Sequence, residues 1–292
     1  MKNRIAFIIN PISGGIPKHR IPQLVAQEID STKFDVEIFF TESTQHNQEL
    51  AQQCVRNKFD AIIAVGGDGT INNTAKYVAG TGIALGIIPL GSGNGLARHL
   101  GLSKHPKQAL KTINKFYQTK IDTGLVNEVF FINVAGVGFD AHVTGKFAVA
   151  PRRGFWQYAK ITLAEFAGYR ARHYELIIDG VKSTEDAFLI CVSNGSQYGN
   201  NAYISPLSMV NDGLFEVTIL RPFKLHQMPK LGAMIFRKNI HQSAQVKVVS
   251  GKHIIIKRLA NELVNIDGEP IQIEQDLTIQ INASNLKIIC NE

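Results

Sequence analysis

AIIAVGGDGTINNT, residues 61–74, is the stretch from which the rest of the chain can be read. Its opening residues form an apolar run rich in Ile and Val and too short for a helix, the pattern of a strand buried on both faces. The chain then has to turn sharply. Gly66, Gly67 and Gly69 admit positive φ values and close backbone approach that a side chain would block, and they do so at the carboxyl end of a strand, where open α/β sheets bind ligands. A helix follows, which Thr70 or Asp68 can cap, and its first N–H groups with the turn amides form a cradle for phosphate. Asp68 is the odd member of that cradle. A carboxylate there repels a nucleotide unless it holds a metal or takes a proton from the group being phosphorylated. In isolation, GGDG reads equally well as an Asp that caps a glycine turn.

Outward from this stretch the same alternation continues. Residues 4–10 read as a strand closing in NPISGG (10–15), residues 36–40 as a strand ending at Thr41, and residues 84–89 as a strand running into PLGSGNGLARHL (89–100). Helical spacing of apolar residues marks 19–30, and 43–56 also reads as a helix. Repeated βα alternation predicts a parallel, doubly wound sheet. One glycine-rich loop is explained by turn chemistry alone, whereas several at one sheet edge point to a site. Ser92 and Asn94 add side-chain donors without bulk, and residues 95–100 can start a helix aimed at the same place. There is no GxxxxGK followed by Ser or Thr, which excludes a P-loop NTPase, and Gly91, Gly93 and Gly95 fit no dinucleotide-binding fingerprint with a later ribose carboxylate.

At 292 residues the chain exceeds a typical single domain, and 45% hydrophobic residues suffice for real cores. Cys54, Cys191 and Cys290 lie far apart with no CxxC spacing, which argues against a disulfide framework or structural zinc and suits a reducing cytoplasm. MKNRIAFIIN at the start holds an apolar stretch too short for a signal peptide, and no apolar run reaches the roughly 18 residues of a membrane span. A net charge of +7 favours anionic partners: nucleotides, nucleic acid or an acidic membrane surface.

The second half reads mostly as strands, at 120–126, 129–137, 174–179, 188–193, 214–220, 245–249, 253–257 and 277–281. Hairpin-like turns at Asp179-Gly180 and Ser250-Gly251 fit an antiparallel β-sandwich. Helical intervals at 155–169 and 224–236 interrupt it. Asp267 and Glu269 flank Gly268, a spacing that in an extended turn sends both carboxylates to one side; the alternative is a polar hairpin turn. Within 146–172, Lys146, Arg152, Arg153, Lys160, Arg170 and Arg172 stand against one acid, Glu165, with Phe155, Trp156 and Tyr158 set among them. Such a segment suits a bilayer headgroup region, or else packs its aromatics on the sandwich. His99 and His142 lie near the motifs and receive no role.

NPISGG, VGGDGTIN and PLGSGNGLAR, in this order and at these intervals, resemble the diacylglycerol kinase catalytic family, which includes bacterial lipid kinases, sphingosine kinases and ceramide kinases. NDGLFEV (211–217) and IDGEP (266–270) extend the resemblance over nearly the whole chain. It implies an α/β nucleotide domain similar to that of NAD kinase and diacylglycerol kinase over residues 1–125, a β-sandwich lipid-substrate domain over 126–283, and a return of 284–292 to the first domain. It implies an ATP-dependent lipid kinase that transfers the γ-phosphate to a hydroxyl of a diacylglycerol-like or sphingoid lipid. Asn10, Thr41, Gly66, Gly67, Asp68, Gly69, Thr70, Ile71, Asn72 and Ser92 would contact ATP. Glu269 would accept the proton, with Asp68 as the rival base, and Mg²⁺ would be held by the carbonyls of Met209 and Leu214 and the carboxylate of Asp212.

The partners expected are a lipid substrate at a membrane surface and no nucleic acid; the location is cytoplasmic, peripheral at the inner membrane, and oligomerisation is left open. The chain also departs from the family pattern. Asn73 stands where many members carry Glu, and Gly95 where bacterial diacylglycerol kinases commonly have Asp. GSGNG resembles sphingosine and ceramide kinases more closely, which leaves the lipid open. Asp140, in AGVGFDAH, stands where sphingosine kinases hold the lipid's amino group, with a strand-end turn as the alternative. NAD kinase, which shares GGDG, and a non-catalytic nucleotide- or lipid-binding protein are the competing functions.

Overall fold

The computed structural model of the chain describes residues 2–12, 20–151, 154–259, 261–274 and 276–291. Ser13, Gly14 and Gly15 of the first glycine motif, His19, Arg152 and Arg153 lie outside the described residues. The chain divides into two units, Met1–Ile121 with Ser284–Glu292, and Asp122–Ala283. The division thus falls at residue 121, against the expected 125.

The first unit alternates strands and helices: β1 (Asn3–Ile9), α1 (Arg20–Glu28), β2 (Phe34–Phe40), α2 (Thr44–Arg56), β3 (Ala61–Gly66), α3 (Asp68–Val78), β4 (Ala84–Pro89), α4 (Gly95–His99) and α5 (Pro106–Lys115). The strands lie in the order β2-β1-β3-β4, all parallel. β3 and β4 are buried at every position, as helices on both faces of a parallel sheet require. Ile5, Phe7, Ile9, Ile63, Val65 and Ile88 pack with Ile21 and Val25 of α1 and Leu110 and Ile113 of α5. α2 is capped by Ser43, whose Oγ accepts the His46 N–H at 3.0 Å. α3 has no such cap. Its N-cap is Gly67 and neither Thr70 nor Asp68 caps it, because the Asp68 carboxylate is spent on a different helix.

The second unit continues with β5 (Gln118–Val126), which begins in the first, then β6 (Val129–Phe131), β7 (Val134–Gly138), α6 (Phe139–Ala148), α7 (Phe155–Phe166), β8 (Arg172–Ile178), β9 (Val181–Ala187), β10 (Leu189–Ser193), β11 (Phe215–Leu220), α8 (Met228–Phe236), β12 (Val246–Gly251), β13 (His253–Arg258), β14 (Glu262–Ile266), β15 (Glu269–Ile273) and β16 (Leu277–Ile289). One antiparallel sheet runs β12-β11-β10-β7-β14-β15, and a second pairs β16, β13, β8 and β9, also antiparallel. Val137, Ile190, Val192, Val217 and Val264 of the first share a core with Tyr174, Leu176, Ile254, Ile256 and Ile279 of the second. The last residues of β16 belong to the first unit, where Lys287 and Ile288 pair in parallel with Ala84 and Leu85. Among the described residues no helix is long and apolar enough to cross a membrane.

Several local expectations are corrected. Ser250-Gly251 closes no hairpin: β12 pairs with β11, whereas β13 pairs with β8 and β16, so the chain changes sheets at Lys252. The change is held by Asp179, whose Oδ1 accepts the N–H groups of Lys252 (3.1 Å) and His253 (2.9 Å). Residues 129–137 form two strands rather than one. β9, VKSTEDA, and the β14–β15 hairpin carry too little apolar alternation to stand out in the sequence. Asp140 lies in the first turn of α6, not in a strand-end turn.

Candidate active site

The first unit places its described glycine loops at the carboxyl ends of β3 and β4. Gly67 and Gly91 pack backbone on backbone: a Cβ on Gly91 would lie 2.6 Å from Gly67 Cα and 2.7 Å from Asn94 Oδ1. At Gly91 no side chain fits without moving backbone, whereas a Cβ on Gly67 would meet Gly91 Cα at 3.3 Å, a tight contact only. The Leu90 N–H donates to Gly66 O at 2.7 Å, joining the turns at their base. Asn94 sits in the left-handed region (φ 53°) and is fully buried. Its Oδ1 accepts the Gly91 N–H at 3.1 Å and its Nδ2 donates to Gly91 O at 2.7 Å. The side-chain donor expected to face a ligand is therefore used to close its own loop.

Asp68 is the link between the turns. Its Oδ2 accepts the Asn94 N–H and its Oδ1 the Gly95 N–H, each at 2.8 Å, so the carboxylate binds the backbone at the start of α4. Burial pushes the Asp68 carboxyl above its ordinary value, against the pull of these two amides and of the Arg98 cation. Arg98 Nε donates to Gly93 O at 2.9 Å, which keeps a guanidinium beside the same loop. Asn10, half-buried at the end of β1, donates from Nδ2 to Thr70 Oγ1 (3.2 Å) and accepts the Ile12 N–H (3.1 Å). Thr41 is buried after β2, its N–H on Ile9 O at 2.9 Å. Ser92 is exposed at the loop tip, Asn72 is half-buried, and Ile71 points into the core. Gly69 O accepts Asn73 Nδ2 at 2.8 Å, while Asn73 Oδ1 takes Gln48 Nε2 at 2.8 Å, so Asn73 ties α3 to α2.

In the second unit the IDGEP segment is a two-residue hairpin joining β14 to β15. Asp267 (φ 51°) and Gly268 (φ 88°) both have positive φ, the signature of a type I′ turn. The two acids therefore differ in role instead of lying together on one side of an extended turn. The Asp267 carboxylate is turned onto backbone: Oδ2 accepts the Ile132 N–H (2.8 Å), and Oδ1 those of Asn133 (2.9 Å) and Val134 (2.8 Å). These bonds fall on the break between β6 and β7. Glu269 follows at the first position of β15, exposed and without a protein partner among the described residues.

Behind the hairpin lies a buried polar cluster. Asp140, 4% exposed, accepts the Ala141 N–H through Oδ1 (2.7 Å), and Tyr198 Oη and Asn265 Nδ2 through Oδ2 (3.2 Å each). Burial pushes its carboxyl up to about 7 despite these donors. Both oxygens accept hydrogen bonds from protein groups, which gives Asp140 a structural role in this cluster.

The residues expected at the metal lie on the loop before β11. Asp212 is exposed, its Oδ1 accepting the Leu214 N–H at 3.0 Å while Oδ2 has no protein partner among the described residues. Met209 is exposed and Leu214 half-buried. Asp122, buried in β5, accepts the Gly213 N–H at 2.8 Å and holds the loop. Nearby Glu216 is pushed up to about 7, first by burial and then by the charge of Asp212. Carboxylate and carbonyl oxygens with unneutralised negative charge fit a hard cation such as Mg²⁺. No cluster of three or more His, Cys, Asp or Glu exists among the described residues, so an ion here would lean on backbone carbonyls.

Interlocked glycine turns on a parallel sheet, followed by an antiparallel two-sheet unit with a carboxylate-bearing hairpin, define an α/β domain joined in one chain to a β-sandwich. Residues 4–126 match the family described as "Diacylglycerol kinase catalytic domain", and residues 133–290 the one described as "YegS C-terminal NAD kinase beta sandwich-like domain". The chain is 30% identical over 229 residues to the Chromohalobacter salexigens protein named "Probable lipid kinase YegS-like", covering 76% of this chain and 73% of that one. It is 27% identical over 272 residues to a protein of Bacillus subtilis named "Diacylglycerol kinase", covering 91% and 89%. A solved structure described as a diacylglycerol kinase from Bacillus anthracis superposes with a TM-score of 0.77 at 21% identity, covering 99% of this chain and 97% of that one. The chain belongs to the diacylglycerol kinase and YegS-like lipid kinase family.

Proposed function

We propose that the chain is an ATP-dependent lipid kinase that transfers the γ-phosphoryl group to a hydroxyl of a diacylglycerol-like or sphingoid lipid. The observation that carries this reading is the interlock of the two glycine turns, Gly67 against Gly91, in a member of a lipid kinase family. Side-chain-free backbone at the carboxyl ends of β3 and β4 suits triphosphate binding, with Asn10, Thr41, Thr70, Asn72 and Ser92 bordering it. Asp68 is a positioning residue in this scheme, since its two oxygens hold the second turn on the first.

The lipid hydroxyl oxygen attacks the γ-phosphorus, the bond to the β–γ bridging oxygen breaks, ADP leaves, and Glu269 takes the hydroxyl proton. Phosphoryl transfer passes through a loose transition state, so placement and charge neutralisation do most of the work. Glu269, exposed and without a protein partner among the described residues, suits the base. Asp212 with the carbonyls of Met209 and Leu214 would hold Mg²⁺, which supplies positive charge that steadies this loop.

α7 carries the chain to its substrate in the same reading. None of its residues is fully buried, Trp156 is 82% and Leu163 64% exposed, and Lys160 is exposed beside them. An aromatic and basic face of this kind suits an anionic bilayer surface, consistent with a peripheral enzyme at the inner membrane. The test follows the radiolabelled γ-phosphate of ATP into lipid extract, into NADP, or into neither. Label in lipid supports the kinase, label in NADP replaces it with NAD kinase, and label in neither leaves a binding protein.

A further inference from the structure

We infer that Asn265 is a positioning residue for the Glu269 hairpin, its carboxamide joining the buried Asp140 to the turn at Gly268. The role in turnover rests on the kinase reading above; the link itself does not.

Asn265 lies on β14, is 2% exposed, and stands opposite Pro270 of β15 on one side and Gly136 of β7 on the other. Its Oδ1 accepts the Gly268 N–H at 2.9 Å and its Nδ2 donates to Asp140 Oδ2 at 3.2 Å. The orientation of the amide follows from its partners. A backbone N–H can only donate, so it faces the oxygen, and the NH₂ group is left to the carboxyl group. Room for the pair comes from Gly136, where a Cβ would lie 2.1 Å from Asp140 Oδ2. The hairpin is thus held at both central residues, Asp267 on the backbone of residues 132–134 and Gly268 on Asn265. Glu269 is the next residue.

The turn does not need this support in order to form. An Asp-Gly pair is already suited to a type I′ turn, and Asp179-Gly180 makes the same turn between β8 and β9 in this unit, with φ of 46° and 84°. Burying a carboxyl group beneath a hairpin costs stability compared with apolar packing, since each donor and acceptor must be matched. Asp140, Tyr198 and Asn265 are matched to one another, and the product of that arrangement is a fixed amide one residue before Glu269. A general base has to be held within a fraction of an ångström of its productive position, so a rigid anchor immediately before it bears on turnover more than on binding of nucleotide.

The experiment compares the wild type with Asn265→Leu, Asn265→Asp and the swap Asp140→Asn with Asn265→Asp. Asn265→Asp keeps the acceptor for the Gly268 N–H but sets a second carboxyl group against Asp140; the swap restores one donor and one acceptor at that contact. Amide hydrogen exchange of residues 262–273 and steady-state kinetics with ATP and vesicle-borne diacylglycerol are measured on each. Asn265→Leu and Asn265→Asp should lose protection in the hairpin and lower kcat on the order of 10- to 100-fold while the KM for ATP stays within about twofold. The swap should recover most of both losses. Unchanged protection in Asn265→Leu, or a folded swap that recovers neither quantity, overturns the inference. If Asn265→Leu does not fold, Asn265→Asp and the swap decide it by the same readouts. If the wild type phosphorylates no lipid, the kinase reading falls, and the exchange data alone decide the link.

Discussion

Replacing Asp68 by Asn separates a carboxylate that organises the loops from one that takes part in the chemistry. The two amides at Asn94 and Gly95 each lie 2.8 Å from a different Asp68 oxygen. An Asn side chain keeps one acceptor and presents an NH₂ group to the other N–H, so one hydrogen bond to a charged group is lost and two donors are set face to face. Hydrogen bonds to charged groups contribute about 1.5–3 kcal/mol, and relief of the buried charge offsets part of the loss, leaving a net cost of about 2 kcal/mol. At roughly 4 °C per kcal/mol, the value between the ranges for smaller and larger units, Tm should fall by about 8 °C. α4 should also loosen and the KM for ATP rise. Glu269→Gln is the contrast. Its side chain is exposed and without a protein partner among the described residues, so Tm should hold, while loss of a general base lowers kcat by about 10²-fold or more. Thermal melts and initial rates over a range of ATP concentrations, run on both variants, make the comparison. If Asp68→Asn melts like the wild type, keeps its KM for ATP and still loses turnover as completely as Glu269→Gln, Asp68 acts at the reacting centre and the loop argument fails.

Gly91→Ala places a methyl group 2.6 Å from Gly67 Cα, where only backbone can give way, and should cost about 1–3 kcal/mol together with ATP affinity; an unchanged melt and unchanged KM would refute the interlock. Asp212→Ala should weaken the dependence of thermal stability on Mg²⁺, and identical metal titrations would leave Asp212 as a turn residue. The raised carboxyl of Asp140 sets a sign for pH: from about pH 4 to about 7 the folded chain keeps a proton that the unfolded chain has released, so stability falls as pH rises through that window and levels off above it. Asp140→Asn should flatten the fall by an amount on the order of 1.4 kcal/mol per pH unit, and a denaturation series with the wild-type slope would refute the assignment. Arg152→Glu with Arg153→Glu should reduce co-sedimentation with anionic vesicles at low salt by at least about tenfold, each basic residue contributing about 1 kcal/mol there; equal pelleting of wild type and variant removes this segment from membrane docking.

The alternation of short apolar runs with helical spacing was sufficient to place β1 to β4 in a parallel sheet, because the continuous apolar runs of β1, β3 and β4, buried on both faces, are visible in the residues themselves, while β2 at the sheet edge is only partly buried. The glycine turns were legible for a similar reason: only glycine tolerates the backbone approach they make. Asp-Gly at 267–268 was legible as one reading of a hairpin, since the type I′ turn selects that pair. What the side chains of those motifs bind could not be read in the same way. Asp68 binds the two amides at the start of α4, 26 and 27 positions along the chain, and Asp267 binds an amide 135 positions back. Asn265 reaches Asp140 across 125 positions. Each of these polar groups has several partners of equal chemistry available in the unfolded chain, and local propensity does not choose among them. The choice is made when β3 packs beside β4, and β7 beside β14, because only then does each buried carboxylate meet the particular N–H groups whose loss of water it must replace.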